Sequence, residues 1–429
     1  MAISIVAAPS ADAAVSCAFG GSSGPEAGIV TLDLGASGDS ATISVAGGAL
    51  IANGAGCTSP SLIGESATTR NTEVVRVRDS SGDGSVELRI VDPAGFAPGL
   101  VNESDGSAEI EFDINFGPGA ADILRLEAGG ADTEDRFELG LLGSIPAANL
   151  NARAEGSASE DVDLGVVGAE RIVADGRTLD DKLDGAGGAP FTAALDVGVE
   201  LFGQDGEDLL GGGSRADILH GGNSDDLLSG GDGRDVLLGD DQEDILAGGE
   251  GADRLDGGPD DDLVDYRVLG RGAKRGVDLD LRGGTVGGAG AGDRIVSIEG
   301  AFASPLDDTV VGNGALNFVD GGGGDDDLGG GAERDALLGS AGDDLLDGGG
   351  ARDILFGGPG DDAIHGELGK DIVFGNAGQD RITTEEGVDV VDVSGGGRDV
   401  VDCGPGEDGY DADRRDKIRS CEVALDIDD

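Results

Sequence analysis

Gly203 to Asp265 reads GQDGEDLLG GGSRADILH GGNSDDLLS GGDGRDVLL GDDQEDILA GGEGADRLD GGPDDDLVD, seven units of nine residues with nothing between them. The same register returns from Ala303 to Asp392 as ten further units, GGGGDDDLG and GGPGDDAIH among them. In both blocks the sixth position is Asp, with the single exception of Asn317, and the eighth is always aliphatic, from Leu210 through Leu255 to Val391. A fixed period of this kind marks a repeat architecture. Glycines at positions one, two and four suit a turn with positive φ and a bare backbone whose carbonyls can approach an ion. Positions seven to nine then form a short strand, the eighth side chain pointing inward and its neighbours outward.

The unit Gly-Gly-x-Gly-x-Asp-x-aliphatic-x resembles the calcium-binding nonapeptide of RTX, or haemolysin-type, proteins. The resemblance covers residues 203–392 and implies an all-β fold, a parallel β-roll or β-solenoid in which two turns and two strands close one coil of eighteen residues. Units two apart then stack at roughly 4.8 Å, the spacing of paired strands. That places Asp208, Asp226, Asp244 and Asp262 over one another, and Asp217, Asp235 and Asp253 along the opposite edge. Uncompensated, each stacked carboxylate pair costs about 1 kcal/mol in water and several times that in a partly dry turn. Calcium takes oxygen ligands at roughly 2.4 Å, which suits a position midway between such carboxylates, whereas magnesium demands a tighter octahedral shell and keeps its waters.

The candidate metal ligands are therefore the sixth-position carboxylates: Asp208, Asp217, Asp226, Asp235, Asp244, Asp253 and Asp262 in the first block, and Asp308, Asp326, Asp335, Asp344, Asp353, Asp362, Asp371, Asp380 and Asp389 in the second. Fourth-position glycines, Gly206, Gly233, Gly251, Gly324, Gly342, Gly360, Gly369 and Gly378, are expected to contribute turn carbonyls. Arg215, Ser224, Gln242, Asp260, Glu333 and Ala351 replace that glycine, so their turns are expected to be strained, weak or empty.

The composition points the same way. With 84 glycines and 3% aromatics among 429 residues, few large side chains are available to fill a wide core. A formal net charge of −59 argues against nucleic acid or an anionic membrane as partner. Acidity with few aromatics otherwise signals disorder, and the periodic Asp suggests a chain that stays disordered until cations neutralise it. No run of eighteen apolar residues is present, so no transmembrane segment is expected.

Residues 1–14, MAISIVAAPSADAA, end in the small-x-small form of a signal-peptidase site at Ala11-Asp12-Ala13 but lack a basic start; the alternatives are a truncated export signal and an Ala-rich strand. Cys17, Cys57, Cys403 and Cys421 are an even set that suits two disulfides in an exported chain. Cys403 and Cys421 lie 421 − 403 = 18 residues apart, one coil of the implied roll, so a bond between them would staple the last coil. Residues 15–195 alternate as strands at Ile29–Leu34, Val74–Val77, Val86–Ile90 and Glu109–Phe116, and Gly117–Arg125 carries Asp122 and Leu124 at the sixth and eighth positions of the unit. A degenerate solenoid continuous with the repeats is the preferred reading and a β-sandwich the alternative. The remaining divisions are a first roll block at 196–265, a basic interruption at 266–302, a second block at 303–392 and a cap at 393–429. In the interruption Val277–Leu281 and Ile295–Ile298 alternate as strands, and its six basic residues are expected to dock against the acidic ladders.

Catalytic signatures are weak. Ser22 in GGSSG lacks the strand, helix and histidine of a nucleophile elbow. Asp79, Ser81, Asp83 and Gly84 start like an EF-hand loop, but Ile90 stands where a bidentate Glu belongs. Asn102-Glu-Ser104 is a glycosylation sequon that identifies nothing without its host. His220 and His365, the two histidines, both sit at outward ninth positions, so no triad or zinc-protease motif is assembled. The expected function is thus a secreted, calcium-binding structural or binding protein rather than an enzyme. A carbohydrate-active enzyme or adhesin with its site in residues 15–195 is the alternative, because paired carboxylates cannot be picked out in so acidic a chain. A row formed by Phe318, Ile354, Phe356, Ile372 and Phe374 along one face predicts self-association or docking of a protein partner.

Overall fold

A computed structural model of the chain describes residues 197–268 and 273–425, together with the strand segments between residues 3 and 184. Ser22, Asp83, Asn102, Cys57 and most of residues 1–14 lie outside the described residues. Every described element is a strand, and the chain forms two compact units, Met1–Asp235 and Val236–Asp429.

In the first unit, Ser40–Ala46, Glu87–Val91, Ile123–Glu127, Arg171–Thr178, Gly198–Asp205 and Ile218–Asn223 pair in that order, all parallel. The opposing sheet runs from Ile29–Leu34 through Val74–Asp79 and Glu111–Asn115 to Leu164–Val167, again parallel. A hairpin of Arg136–Leu142 and Ile145–Asn149 joins it to Lys182–Asp184, Leu209–Gly211 and Leu227–Gly233. Parallel pairing needs a crossover between neighbours, which is what a solenoid supplies and an antiparallel sandwich does not. The N-terminal strands are therefore degenerate coils leading into the repeats, with Leu124 in register with Ile172, Ile172 with Val199 and Leu201 with Leu219.

In the second unit the two sheets rise in eighteen-residue steps. Thr309–Val311, Asp327–Gly331 and Leu345–Ala351 stack in one, and Phe318–Asp320, Ala336–Leu338, Ile354–Pro359 and Ile372–Ala377 in the other. Eighth-position side chains form the core: Leu237, Leu246, Leu255, Val264, Val319, Leu328, Leu337, Leu346, Leu355, Ile364, Val373, Ile382 and Val391 are all 0% exposed. One aliphatic side chain per strand fills so thin an interior, which is why the chain manages with few aromatics.

The interruption is a hairpin inserted in one sheet only. Val277–Asp280 and Thr285–Gly288 pair antiparallel, and Val277–Asp280 runs parallel to Thr309–Val311 while Arg294–Val296 runs parallel to Arg254–Asp256. The opposite sheet passes straight from Leu263–Asp265 through Gly300–Phe302 to Phe318–Asp320. Of the basic residues, Arg267 pairs locally and not with a ladder: its guanidinium forks onto the outward ninth-position Asp265 at 3.0 and 2.6 Å and stacks 4.2 Å from the Phe302 ring centroid. At the far end Val391 pairs with Tyr410 rather than a residue eighteen on, a single-residue slip absorbed around Val393. Cys403 and Cys421 are bonded there, their Cα atoms 5.2 Å apart on adjacent coils.

Candidate metal centres

The sixth-position carboxylates stand in ladders, as the eighteen-residue period requires. What the sequence did not disclose is their backbone partner. The Oδ1 of most accepts the N–H of the aspartate one coil earlier, Asp217, Asp308 and Asp335 taking theirs from Val199, Val277 and Asn317: Asp226 from Asp208 at 2.7 Å and Asp235 from Asp217 at 2.9 Å in the first unit. In the second unit Asp262 accepts from Asp244, Asp344 from Asp326, Asp353 from Asp335, Asp362 from Asp344, Asp371 from Asp353, Asp380 from Asp362 and Asp389 from Asp371, at 2.8 to 3.1 Å. Asp253 instead donates its N–H to Asp293, forty residues on. Each ladder thus doubles as a hydrogen-bonded seam between coils.

The second oxygen is treated differently. The Oδ2 atoms of Asp262, Asp326, Asp335, Asp344, Asp353, Asp362, Asp371, Asp380 and Asp389 are buried and accept no hydrogen bond. Each lies over the first-position backbone of its own unit; a side chain at Gly339 or Gly357 would collide with Asp344 Oδ2 or Asp362 Oδ2, and also with the first-position carbonyl of the next coil, Gly357 O or Gly375 O. Carboxylate and carbonyl oxygens therefore converge with no donor between them. Fourth-position backbones are stacked as closely: a side chain at Gly233, Gly342, Gly360, Gly369 or Gly378 would strike the carbonyl of Arg215, Gly324, Gly342, Ala351 or Gly360 on the preceding coil. Gly206, Gly324, Gly342 and Gly360 are left-handed, and Gly251 ends the strand Ile245–Gly251.

Leaving an ionised carboxylate buried with no partner is expensive, and the charge state responds. Burial pushes these acids up, opposed by the N–H bond that each accepts and reinforced by neighbouring carboxylates: Asp326 to about 8, Asp262, Asp353 and Asp380 to about 7, and Asp335, Asp344 and Asp371 to about 6. A cation in the cradle removes the need for that proton. Among the described residues no three His, Cys, Asp or Glu side chains converge on one point, so a cation here would lean on backbone carbonyls, hard oxygen donors of the type calcium takes. The donor set fits that ion.

Substitution of the fourth glycine has uneven effects. Ser224, Gln242, Asp260 and Ala351 are held left-handed at φ from 81 to 106°, carrying the strain expected of them, yet Asp262 and Asp353 in the units of Asp260 and Ala351 keep the unpartnered Oδ2. Asp217 and Asp308 differ from the rest. Asp217 Oδ2 accepts the Gly213 N–H at 2.6 Å, and Asp308 Oδ2 accepts the Ser304 N–H at 2.6 Å. Asn317 Oδ1 likewise takes the Asn313 N–H, while its Nδ2 donates to the Glu299 carbonyl, each at 2.8 Å.

Six ladder residues were missed in the sequence, Asp416 and Glu422 among them, which accept the N–H of Asp399 and Asp408. Asp293 and Glu299 carry the seams through the interruption, accepting the N–H of Asp253 and Asp262. Asp399 and Asp408 extend the ladders beyond Asp380 and Asp389, each with a buried, unpartnered Oδ2. The signal was present: after one extra residue, Val393, the period resumes as SGGGRDVVD and CGPGEDGYD, and GAGAGDRIV at 288–296 places Asp293 and Ile295 at the sixth and eighth positions. His365 stays on the outer face with its Nδ1 2.7 Å from Thr383 Oγ1.

Carboxylate ladders, converging carbonyls and a single-residue core define a cation-binding parallel β-roll. A family profile described as RTX calcium-binding nonapeptide repeat (4 copies) matches the chain in overlapping segments that span residues 202–266 and 302–401. Over these residues the chain carries RTX calcium-binding nonapeptide repeats, which bind calcium ions in multiple turns. No curated protein matches the chain.

Proposed function

We propose that the chain is an exported scaffold that folds on calcium and whose role is structural or binding rather than catalytic. The observation that carries this reading is the row of buried Oδ2 atoms without a hydrogen-bond partner, those of Asp262, Asp326, Asp344 and Asp362 lying beside a backbone carbonyl of the next coil. In this reading the sixth-position aspartates with open Oδ2 atoms supply the charged ligands and the turn carbonyls, those of Gly324, Gly342 and Gly360 among them, complete the shell. Export is supported by Ala11-Asp12-Ala13 and by the Cys403–Cys421 bond, which persists in oxidising compartments. The outer row of Phe318, Ile354, Phe356, Ile372 and Phe374 serves as the contact surface for a second copy or a protein partner, supported by its continuity along one sheet.

Calcium titration followed by far-UV circular dichroism tests the coupling. The chelated chain should lose most of its β signal and regain it on adding millimolar calcium, since an ion that binds only the folded state shifts the equilibrium by mass action. An unchanged β signal in chelator refutes it.

A further inference from the structure

The turns fall into two kinds, and the backbone at the second position separates them. Where the Oδ2 is open, that residue is left-handed: Gly322 ahead of Asp326, Ser340 ahead of Asp344 and Glu367 ahead of Asp371. A non-glycine residue held there is strained by of order 1 kcal/mol, so something must hold it. Where the ladder residue is closed, at Asp217, Asp308 and Asn317, the second residues Gly213, Ser304 and Asn313 are not left-handed. Their N–H groups point inward and donate to the sixth-position side chain, occupying the lone pair that a cation would otherwise take. One of the closed positions is an amide by nature, and an amide can satisfy the turn without any ion. The same outcome is reached at Asp293 by a side chain, since Tyr266 donates its buried hydroxyl to Asp293 Oδ2 at 2.9 Å.

From this we infer that the hand of the second residue decides whether a unit takes calcium, and that the turns at Asp217, Asp308 and Asn317 close without it. In the second unit the protein-satisfied positions interrupt both ladders, Asp293 and Asp308 ahead of the open turn of Asp326 and Asn317 between those of Asp262 and Asp335. They divide the row of cation sites into two separately loaded runs joined by a segment that is stable on its own. The inference rests on the calcium assignment of the open turns, and its test separates the two.

Bound calcium is counted on the full chain carrying Asp308→Asn, Asp217→Asn or, as the open-turn comparison, Asp362→Asn. Asp362→Asn should lower the number of ions bound, whereas Asp308→Asn and Asp217→Asn should leave it unchanged. Loss of calcium from either closed-turn variant overturns the inference. Hydrogen exchange of the unaltered chain provides a second reading that needs no variant. In chelator, residues 303–317 should keep protection that residues 339–347 acquire only with calcium, by a difference of at least tenfold in exchange rate. Equal exchange of the two segments in chelator overturns the inference even if every open turn binds its ion.

Discussion

Asp344 shows what one residue of the ladder does. Its Oδ1 takes the Asp326 N–H, its own N–H goes to Asp362, and its Oδ2 is left for a charge that the protein does not provide. Without a metal the available charge is a proton. The unfolded carboxyl titrates near 3.8, whereas burial lifts the folded acids to about 6 at Asp344 and about 8 at Asp326. The metal-free folded state therefore binds more protons than the unfolded one, so its stability rises as pH falls from about 8 towards 4 and is lost as pH rises through the same range. Protein stripped of metal should gain β signal on acidification from pH 8 to about 4.5, and calcium affinity should weaken over the same interval because protons occupy the ligands. A β signal that decays on acidification would contradict this.

The turn and the strand that follows it are the element in which sequence and structure meet. The nine-residue period, the inward eighth position and the stacking of Asp over Asp were all legible, because each depends only on spacing. The seam of N–H to Oδ1 bonds was not: it depends on how far the side chain folds back over its own turn, which no period encodes. The closed turn at Asp308 did leave a trace, since its unit ASPLDDTVV lacks the glycines of the Asp326 unit GGGGDDDLG, but no spacing shows the Ser304 amide pointing inward. The slip at Val393 concealed Asp399 and Asp408 for a different reason, a single inserted residue that broke the count but not the coil. Among the described residues Val423–Ala424 pairs with Gly409–Ala412 alone, and the Cys403–Cys421 bond ties this stretch to the coil before it. Closing a loop of this length contributes about 3 kcal/mol in the chain-entropy account. Cys421→Ser should therefore speed hydrogen exchange across residues 409–425 while leaving residues 339–391 protected. Uniform loosening of the whole unit would show that the bond acts globally.

For the whole molecule, the two outer surfaces of the second unit are chemically unlike. One sheet presents Phe318, Ala336, Leu338, Ile354, Phe356, Ile372, Phe374 and Val390, with Phe356 and Phe374 stacked at 4.7 Å between ring centroids. The other presents Thr309, Asp327, Asp347, His365, Arg381 and Thr383. A net charge of −59 keeps such chains apart until calcium neutralises part of it, so contact through the apolar sheet should follow loading and not precede it. Phe356→Asp with Phe374→Asp should lower the mass measured by light scattering in calcium and have no effect in chelator. An unchanged mass in calcium would show the row to be merely exposed.

The uniform interior has a last consequence. Because each coil of residues 321–391 buries the same kind of side chain and meets its neighbours through the same seam, Gly339–Phe356 could be excised and Gly357 would land in the register that Gly339 had held against Gly321. Such a chain is a ruler graduated in eighteen-residue steps, able to lengthen or shorten by duplication and loss of coils without redesign of what remains. Nine-residue steps are forbidden to it. They would send every downstream strand to the opposite sheet, scatter the aromatic row across two surfaces and leave neither of them fit for a partner.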